Sequence, residues 1–178
     1  MKAVRIHGHG GIDKLRYEEV EEPRLTSPTE AIVRLESAAL NRIDLWNREG
    51  LTGMDIALPH ILGADGAGIV ESLGLGCESL GFVRGDEVVV NPGVSCMRCE
   101  FCLRGAQSEC PHFRIIVFQL EGLYAEYASV PAVNLFPKPR TLSWEEAESL
   151  INEIDHLRIA LRLSREREVS LKSKKARV

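Results

Sequence analysis

Along the first 140 residues, short apolar runs rich in Val, Ile, Leu and Ala are broken at close intervals by Gly, Pro and Asp. Such runs, bounded by turn formers, are the pattern of short strands. Strands are predicted at Lys2–Ile6, Ala31–Leu35, Gly68–Ser72, Glu87–Val90 and Tyr124–Val130. A short helix is predicted over Asn41–Arg48, ending near Gly50. Ser143-Trp-Glu-Glu146 spells a capping box, in which the Ser hydroxyl accepts from an early backbone N–H while the Glu reaches back. A second helix therefore starts near Ser143. The pattern describes a mainly β domain with short helices.

Composition narrows the class. A chain of 178 residues can bury roughly 70% of its unfolded surface, so one ordinary core is sufficient. With 44% hydrophobic and 27% charged residues the chain is globular rather than disordered. A net charge of −4 offers nucleic acid or an anionic membrane no bulk attraction. The longest apolar runs, such as Val88-Val89-Val90 and Ile115-Ile116-Val117-Phe118, fall far short of the ~20 residues of a membrane span. The start, Met1-Lys2-Ala3-Val4-Arg5, lacks the apolar stretch of a signal peptide. The expectation is a cytoplasmic protein, in which clustered cysteines bind metal or do redox work more often than they form disulfides.

Charge shifts near residue 150. Residues 151–178 carry eight Lys/Arg against four acids, so this segment is +4 and the remainder −8. It reads as a divergent basic tail, helical or disordered, with no aromatic residue to stack on a nucleic-acid base.

The strongest chemical signal is Cys96-x2-Cys99-x2-Cys102-x7-Cys110. Zinc takes four soft donors in a tetrahedron, with sulfur at ~2.3 Å. Two intervening residues let the chain curl so that three thiolates converge, and the longer gap returns the fourth. Gly93, Gly105 and Pro111 supply turns. Four thiolates leave no position for an attacking water, which makes the ion structural. Three other readings compete. Arg98, Glu100, Arg104 and Glu109 argue against unligated core thiols. A redox Cys-x-x-Cys pair leaves two cysteines unexplained. An iron–sulfur run also begins Cys-x2-Cys-x2-Cys and ends in Cys-Pro, but its last gap is three residues rather than seven. Cys77 stands apart as a buried or inert thiol. The glycines at Gly74, Gly76 and Gly81 resemble a dinucleotide loop only faintly. The predicted strand Glu87–Val90 follows too soon for a phosphate-binding helix to open there.

Taken in order, the segments Pro59-His-Ile-Leu-Gly63-Ala-Asp65-Gly66-Ala-Gly68-Ile-Val-Glu71, Gly85-Asp86-Glu-Val-Val-Val, the four-cysteine lobe at about 93–115, Gly122-Leu-Tyr-Ala-Glu-Tyr and Phe136-Pro-Lys-Pro are similar to a known family. Over residues 1–150 the chain resembles the GroES-like, β-barrel-type catalytic domain of medium-chain zinc alcohol dehydrogenases and their quinone oxidoreductase relatives. The resemblance implies structural zinc on the four cysteines. It also implies an oxidoreductase that, at full length, moves hydride between NAD(P) and an alcohol, aldehyde or quinone-like carbonyl. Zinc-dependent members place a cysteine where this chain has Asn41, a hydroxyl residue at Ile43, and Gly-His-Glu at Gly63-Ala64-Asp65. Ala64 cannot bind metal, so no catalytic zinc is expected. Asn41 and Asp44 resemble the zinc-free quinone oxidoreductase pattern. The resemblance thus assigns Asn41, Asp44 and Asp65 to catalysis and Trp46 to substrate binding. Asp44 reads equally as a first-turn helix acid and Trp46 as core.

The resemblance ends after Leu150, and no complete Rossmann domain is present in the sequence. Hydride chemistry then lacks its cofactor platform. The change to Ile151-Asn-Glu-Ile-Asp-His suggests a truncated chain or an altered reading frame. Inactivity of this chain alone is expected. Two functions follow: an oxidoreductase domain acting on a small-molecule substrate, or a non-catalytic zinc-stabilised interaction module. The module would pair with its own copy or with a homologous full-length chain.

Overall fold

The computed structural model describes residues 1–51 and 55–150, and the basic tail predicted over 151–178 lies outside the described residues. The strands are β1 (Lys2–Ile6), β2 (Leu15–Glu19), β3 (Glu30–Ser37), β4 (His60–Ile61), β5 (Gly66–Leu73), β6 (Glu87–Val90), β7 (Gly93–Val94), β8 (Arg114–Ile115), β9 (Tyr127–Pro131) and β10 (Leu135–Pro137). The helices are α1 (Arg42–Glu49), α2 (Glu100–Leu103) and α3 (Trp144–Glu148). Three sheets result, in the orders β10-β6-β5-β3-β9, β2-β1-β4 and β7-β8. Every strand pairing in them is antiparallel.

The large sheet is held by the alternation seen in the sequence. Ala31 and Val33 of β3, Val70 of β5, Val88 and Val90 of β6, and Ala128 and Val130 of β9 point to one buried face. Each fully buried valine there contributes roughly 1.5–3 kcal/mol. The opposite face buries Ala67 and Val89 against Ala147 of α3, with Leu142 and Trp144 packed beside them. The predicted Ser143 capping box is present, with the Ser143 hydroxyl accepting from the Glu146 N–H. Gly68 is required where β5 passes β3 at a bulge: a Cβ there would lie 2.1 Å from the Arg34 carbonyl oxygen.

The last predicted strand, Tyr124–Val130, is a strand only from Tyr127; before it Ala125 makes an isolated bridge to Ala3 and Glu126 bends the chain, so the segment serves two sheets. Val4 N–H donates to Tyr124 O at 2.7 Å and Glu126 N–H to Lys2 O at 3.0 Å. From Tyr127 onward the chain pairs with β3 instead. This crossing joins the small sheet to the large one in a barrel-like closure. Strand β2 was invisible to the hydrophobic pattern because Leu15-Arg-Tyr-Glu-Glu19 is an edge strand with mostly exposed side chains. Cys77 is fully buried in the large core, and the glycine-rich stretch around it holds only the short 3-10 turn Glu78–Leu80.

A second cluster packs Ile6, Ile56, Leu62, Ala64, Val117 and Phe118 together. Val117 sits there fully buried at φ 82°. A β-branched residue in the left-handed region is strained by roughly 1–2 kcal/mol. Its carbonyl is held by two buried donors, Asn47 Nδ2 and His60 Nε2, the latter at 3.0 Å. Glycine in place of alanine ordinarily loses about 0.5–1 kcal/mol. At position 117 the order is expected to disappear or reverse: Val117→Gly should be at least as stable as Val117→Ala, with both below the wild type through lost packing. Urea midpoints measure this, and a clearly more stable alanine variant would show that the left-handed backbone carries no strain.

Candidate functional site

The cysteine lobe grows from a narrow base. Strands β7 and β8 pair Gly93 with Ile115 and Val94 with Arg114, pinching the two ends of the loop together. Asn134 Nδ2 donates to the carbonyls of Asn91 and Gly93, both at 2.8 Å, which fixes the base to the main sheet. Left-handed backbone at Met97 (φ 56°) and Gly105 (φ 82°) turns the chain inside the lobe. The single turn α2 starts from Cys99 and buries Cys102.

These turns bring the four sulfurs of Cys96, Cys99, Cys102 and Cys110 within 4.8 Å of one another. Cys96 and Cys102 are 3.9 Å apart and Cys99 and Cys102 3.5 Å. A zinc tetrahedron with ~2.3 Å bonds has sulfur–sulfur edges of about 3.8 Å. The cluster therefore fits a structural zinc in both donor type and spacing. Backbone N–H groups of Arg98 and Cys99 aim at the Cys96 sulfur, and its pKa is lowered to about 6. Cys99 receives a lowering bond from the Cys102 N–H, but desolvation and the neighbouring sulfurs push it up to about 11. Four adjacent thiolates repel one another, and a bound dication is the group that offsets them. The Cys96 N–H also donates to Cys110 Sγ at 3.5 Å.

The second constellation lies at the start of α1. Asn41 is its N-cap, and Asp44 at the third position accepts from the Asn41 N–H at 2.8 Å in a capping box. The first-turn reading of Asp44 is thus realised, and Asp44 does more besides. The same oxygen, Oδ2, also accepts from Tyr124 Oη at 2.8 Å, and the other, Oδ1, accepts from the Gly63 N–H at 3.0 Å. Burial pushes the Asp44 carboxyl up from its ordinary range, while the bonds from Tyr124, Asn41, Gly63 and Ala64 act to lower it. Burial, with the charges of Asp44 and Asp65, pushes Tyr124 far above its ordinary range, so it stays a phenol and a donor. Gly63 (φ 103°) is obligatory here, because a Cβ would lie 2.4 Å from the Tyr124 ring.

Asn41 Nδ2 donates to Asp65, so Asn41, Asp44 and Asp65 form one connected group. Asp44 and Asp65 are buried and Asn41 half-buried. Trp46 is exposed on α1, with the Arg42 guanidinium 5.9 Å from its ring. Ala64 lies in the apolar cluster with Val117 and Phe118. Sequence reasoning missed Ser37 and Glu148. The Ser37 hydroxyl donates to Glu148, whose carboxyl is raised by burial and by the nearby Glu145 and Asp65. It also gave Tyr124 no role, although Tyr124 stands inside one of the quoted motifs.

The alcohol dehydrogenase GroES-like domain matches residues 27–140. The chain belongs to this family. It is 36% identical over 140 residues to a zinc-type alcohol dehydrogenase-like protein of Schizosaccharomyces pombe, covering 79% of this chain and 38% of that protein. It is 33% identical over 144 residues to an L-threonine 3-dehydrogenase of Pyrococcus furiosus, covering 77% of this chain and 40% of the enzyme. Among solved structures, an NAD-dependent alcohol dehydrogenase superposes with a TM-score of 0.77 at 44% identity, over 84% of this chain and 43% of that one. A cobalt- and zinc-bound thermostable alcohol dehydrogenase from Pyrobaculum aerophilum gives a TM-score of 0.76 at 34% identity, over 85% and 44%. This GroES-like chain thus spans about 40% of the length of the curated relatives it matches. Among its described residues no helix is long and apolar enough to cross a membrane.

Proposed function

We propose that residues 1–150 are the GroES-like catalytic domain of an NAD(P)-linked oxidoreductase of the alcohol dehydrogenase type, followed by a separate basic segment over 151–178. The single observation that carries this reading is the four-sulfur cluster, with all sulfurs within 4.8 Å, inside a family match over residues 27–140. Cys96, Cys99, Cys102 and Cys110 hold one structural zinc, which cross-links the lobe and takes no part in bond-making. A reducing, cytoplasmic setting keeps those thiols available for metal.

Asn41, Asp44, Asp65 and Trp46 form the substrate side of the cleft. Asn41 and Trp46 are the members that solvent reaches, and so the ones that touch a small alcohol, aldehyde or quinone-like carbonyl. The Asn41 amide is fixed in position by its bond to Asp65. Asp44 acts through its partners, holding the Gly63 turn and the Tyr124 hydroxyl. Full-length relatives bring the nicotinamide; here the chain supplies binding and orientation of the carbonyl.

A second reading is a non-catalytic module that pairs with its own copy or with a homologous full-length chain. It is favoured by exposed Leu40, Leu45, Trp46 and Leu51 on and beside α1, the kind of apolar surface that invites a partner. One set of measurements separates the readings. The chain is titrated with NAD(P)H, assayed with a panel of alcohols, aldehydes and quinones, and mapped by amide NMR shifts while its mass is followed by light scattering. The oxidoreductase-domain reading expects carbonyl-induced shifts concentrated at Asn41, Trp46 and Asp65, without turnover by the chain alone. Shifts confined to self-association at α1, with no response to any carbonyl compound, would favour the module.

A further inference from the structure

Of the eleven arginines among the described residues, six are ion-paired. Arg5, Arg24, Arg34, Arg48, Arg84 and Arg104 each sit on a glutamate. Arg16, Arg42, Arg98, Arg114 and Arg140 have no carboxylate within ion-pair distance among the described residues, and of these five Arg98 and Arg114 come together beside the cysteine cluster. Both are exposed, and both line one groove of about 460 Å³ with Ser95, Cys96, His112 and Phe113. No acid lines that groove. Within the lobe the remaining charges are Arg104, neutralised by Glu109 at 2.9 Å, and the exposed Glu100. Two guanidiniums thus gather beside a metal ligand in a groove without an acid, although the first 150 residues of the chain total −8.

The chemistry of the donor set explains them. A dication with four thiolates carries a formal charge of −2, and the half-buried Cys96 brings that charge to the wall of the groove. We propose that Arg98 and Arg114 are the counter-charge of the cysteine-bound zinc, retained without carboxylate partners so that their field falls on the cluster. This rests on the zinc reading given above. The guanidiniums stabilise the loaded lobe by Coulomb attraction rather than by ligation, so they act on how long the metal stays. Outer-shell groups of this kind change metal affinity without touching the ion.

The test follows zinc leaving the purified, loaded chain into excess EDTA. Zinc content of the wild type is measured first: its absence would overturn both this inference and the zinc reading. With zinc present, Arg98→Gln/Arg114→Gln should lose it roughly tenfold faster than the wild type at low ionic strength, as expected for two unit charges acting on a doubly negative centre at the surface. The difference should shrink towards parity at ~1 M salt, where the screening length is about 3 Å. Arg98→Lys/Arg114→Lys, which keeps the charges, should stay close to the wild type. Equal loss rates at low salt would overturn this inference alone, and so would a difference that salt leaves intact, since that would mark a packing role. Saturable binding of inorganic phosphate to the zinc-loaded wild type, abolished in the Gln double variant, would also overturn it by assigning the groove to an external anion.

Discussion

Replacing Asp44 with alanine is expected to destabilise the fold by about 3–5 kcal/mol, a large share of the ~5–15 kcal/mol that holds a typical domain together. The carboxylate is 3% exposed and satisfies the Asn41 N–H, the Gly63 N–H and the Tyr124 hydroxyl together. Alanine would leave the Asn41 and Gly63 N–H groups facing a gap, at about 1–3 kcal/mol for each unsatisfied donor, and would leave the Tyr124 hydroxyl with the Ala39 carbonyl at 3.0 Å as its acceptor. If Asp44 were a helix cap and nothing more, the loss would be nearer ~1 kcal/mol. Urea unfolding separates the two, and a loss of 1 kcal/mol or less would reduce Asp44 to a cap. Asp44→Asn adds a second readout, because the amide has one acceptor oxygen and must set its NH2 against one group of donors. The sign of the pH effect is fixed by the raised folded-state pKa. A carboxyl raised on folding contributes most stability below its unfolded value of about 4, and that contribution is lost as pH rises through the folded value. The penalty of Asp44→Asn relative to the wild type should therefore be larger at pH 4 than at pH 7.

Cys99→Ser is expected to release the metal and unfold the lobe at 93–115 while the sheets persist. Structural zinc contributes apparently ~10–16 kcal/mol of folding free energy in isolated finger peptides. Here the lobe meets the body of the protein through the β7–β8 base and the Asn134 bonds, so the loss is spent locally. Trypsin reports it directly, because Arg98, Arg104 and Arg114 all lie in the lobe. In the variant these bonds should be cut at least ~100-fold faster than in the loaded wild type, leaving a protected fragment that contains β1–β6. Even digestion along the whole variant chain would show instead that the metal holds the entire fold.

What could be read from the sequence follows from where each signal resides. Strands β1 and β6 match their predicted limits, because apolar residues and turn formers bracket both. Strands β3 and β5 run longer than predicted, β3 because backbone pairing continues through the polar ends Glu30, Glu36 and Ser37, and β5 because it continues through Gly66-Ala67, small residues that carry little strand pattern. The two-residue strands β4, β7 and β8 are too short to leave a periodicity. The cysteine cluster was legible because its ligands lie within fifteen residues and their spacing is itself the geometry. The bond between Asp44 and Tyr124 joins residues 80 apart, and that between Ser37 and Glu148 residues 111 apart. Only the folded chain brings such pairs together, so local pattern carries no trace of them. The Asn41-x-x-Asp44 capping box, by contrast, was available at three-residue spacing beside the helix it starts.

The central claim is a single structural zinc held by Cys96, Cys99, Cys102 and Cys110, with no second metal at the Asn41, Ala64 and Asp65 turn. A tight catalytic site needs three protein ligands, and that turn offers one good donor, Asp65. Elemental analysis of the purified chain, combined with a zinc titration, tests the claim most directly. The account predicts one tightly held zinc per chain, no iron, no absorbance near ~400 nm, and no further tight equivalent on titration. A brown, iron-containing protein, or a second tight zinc, would contradict it.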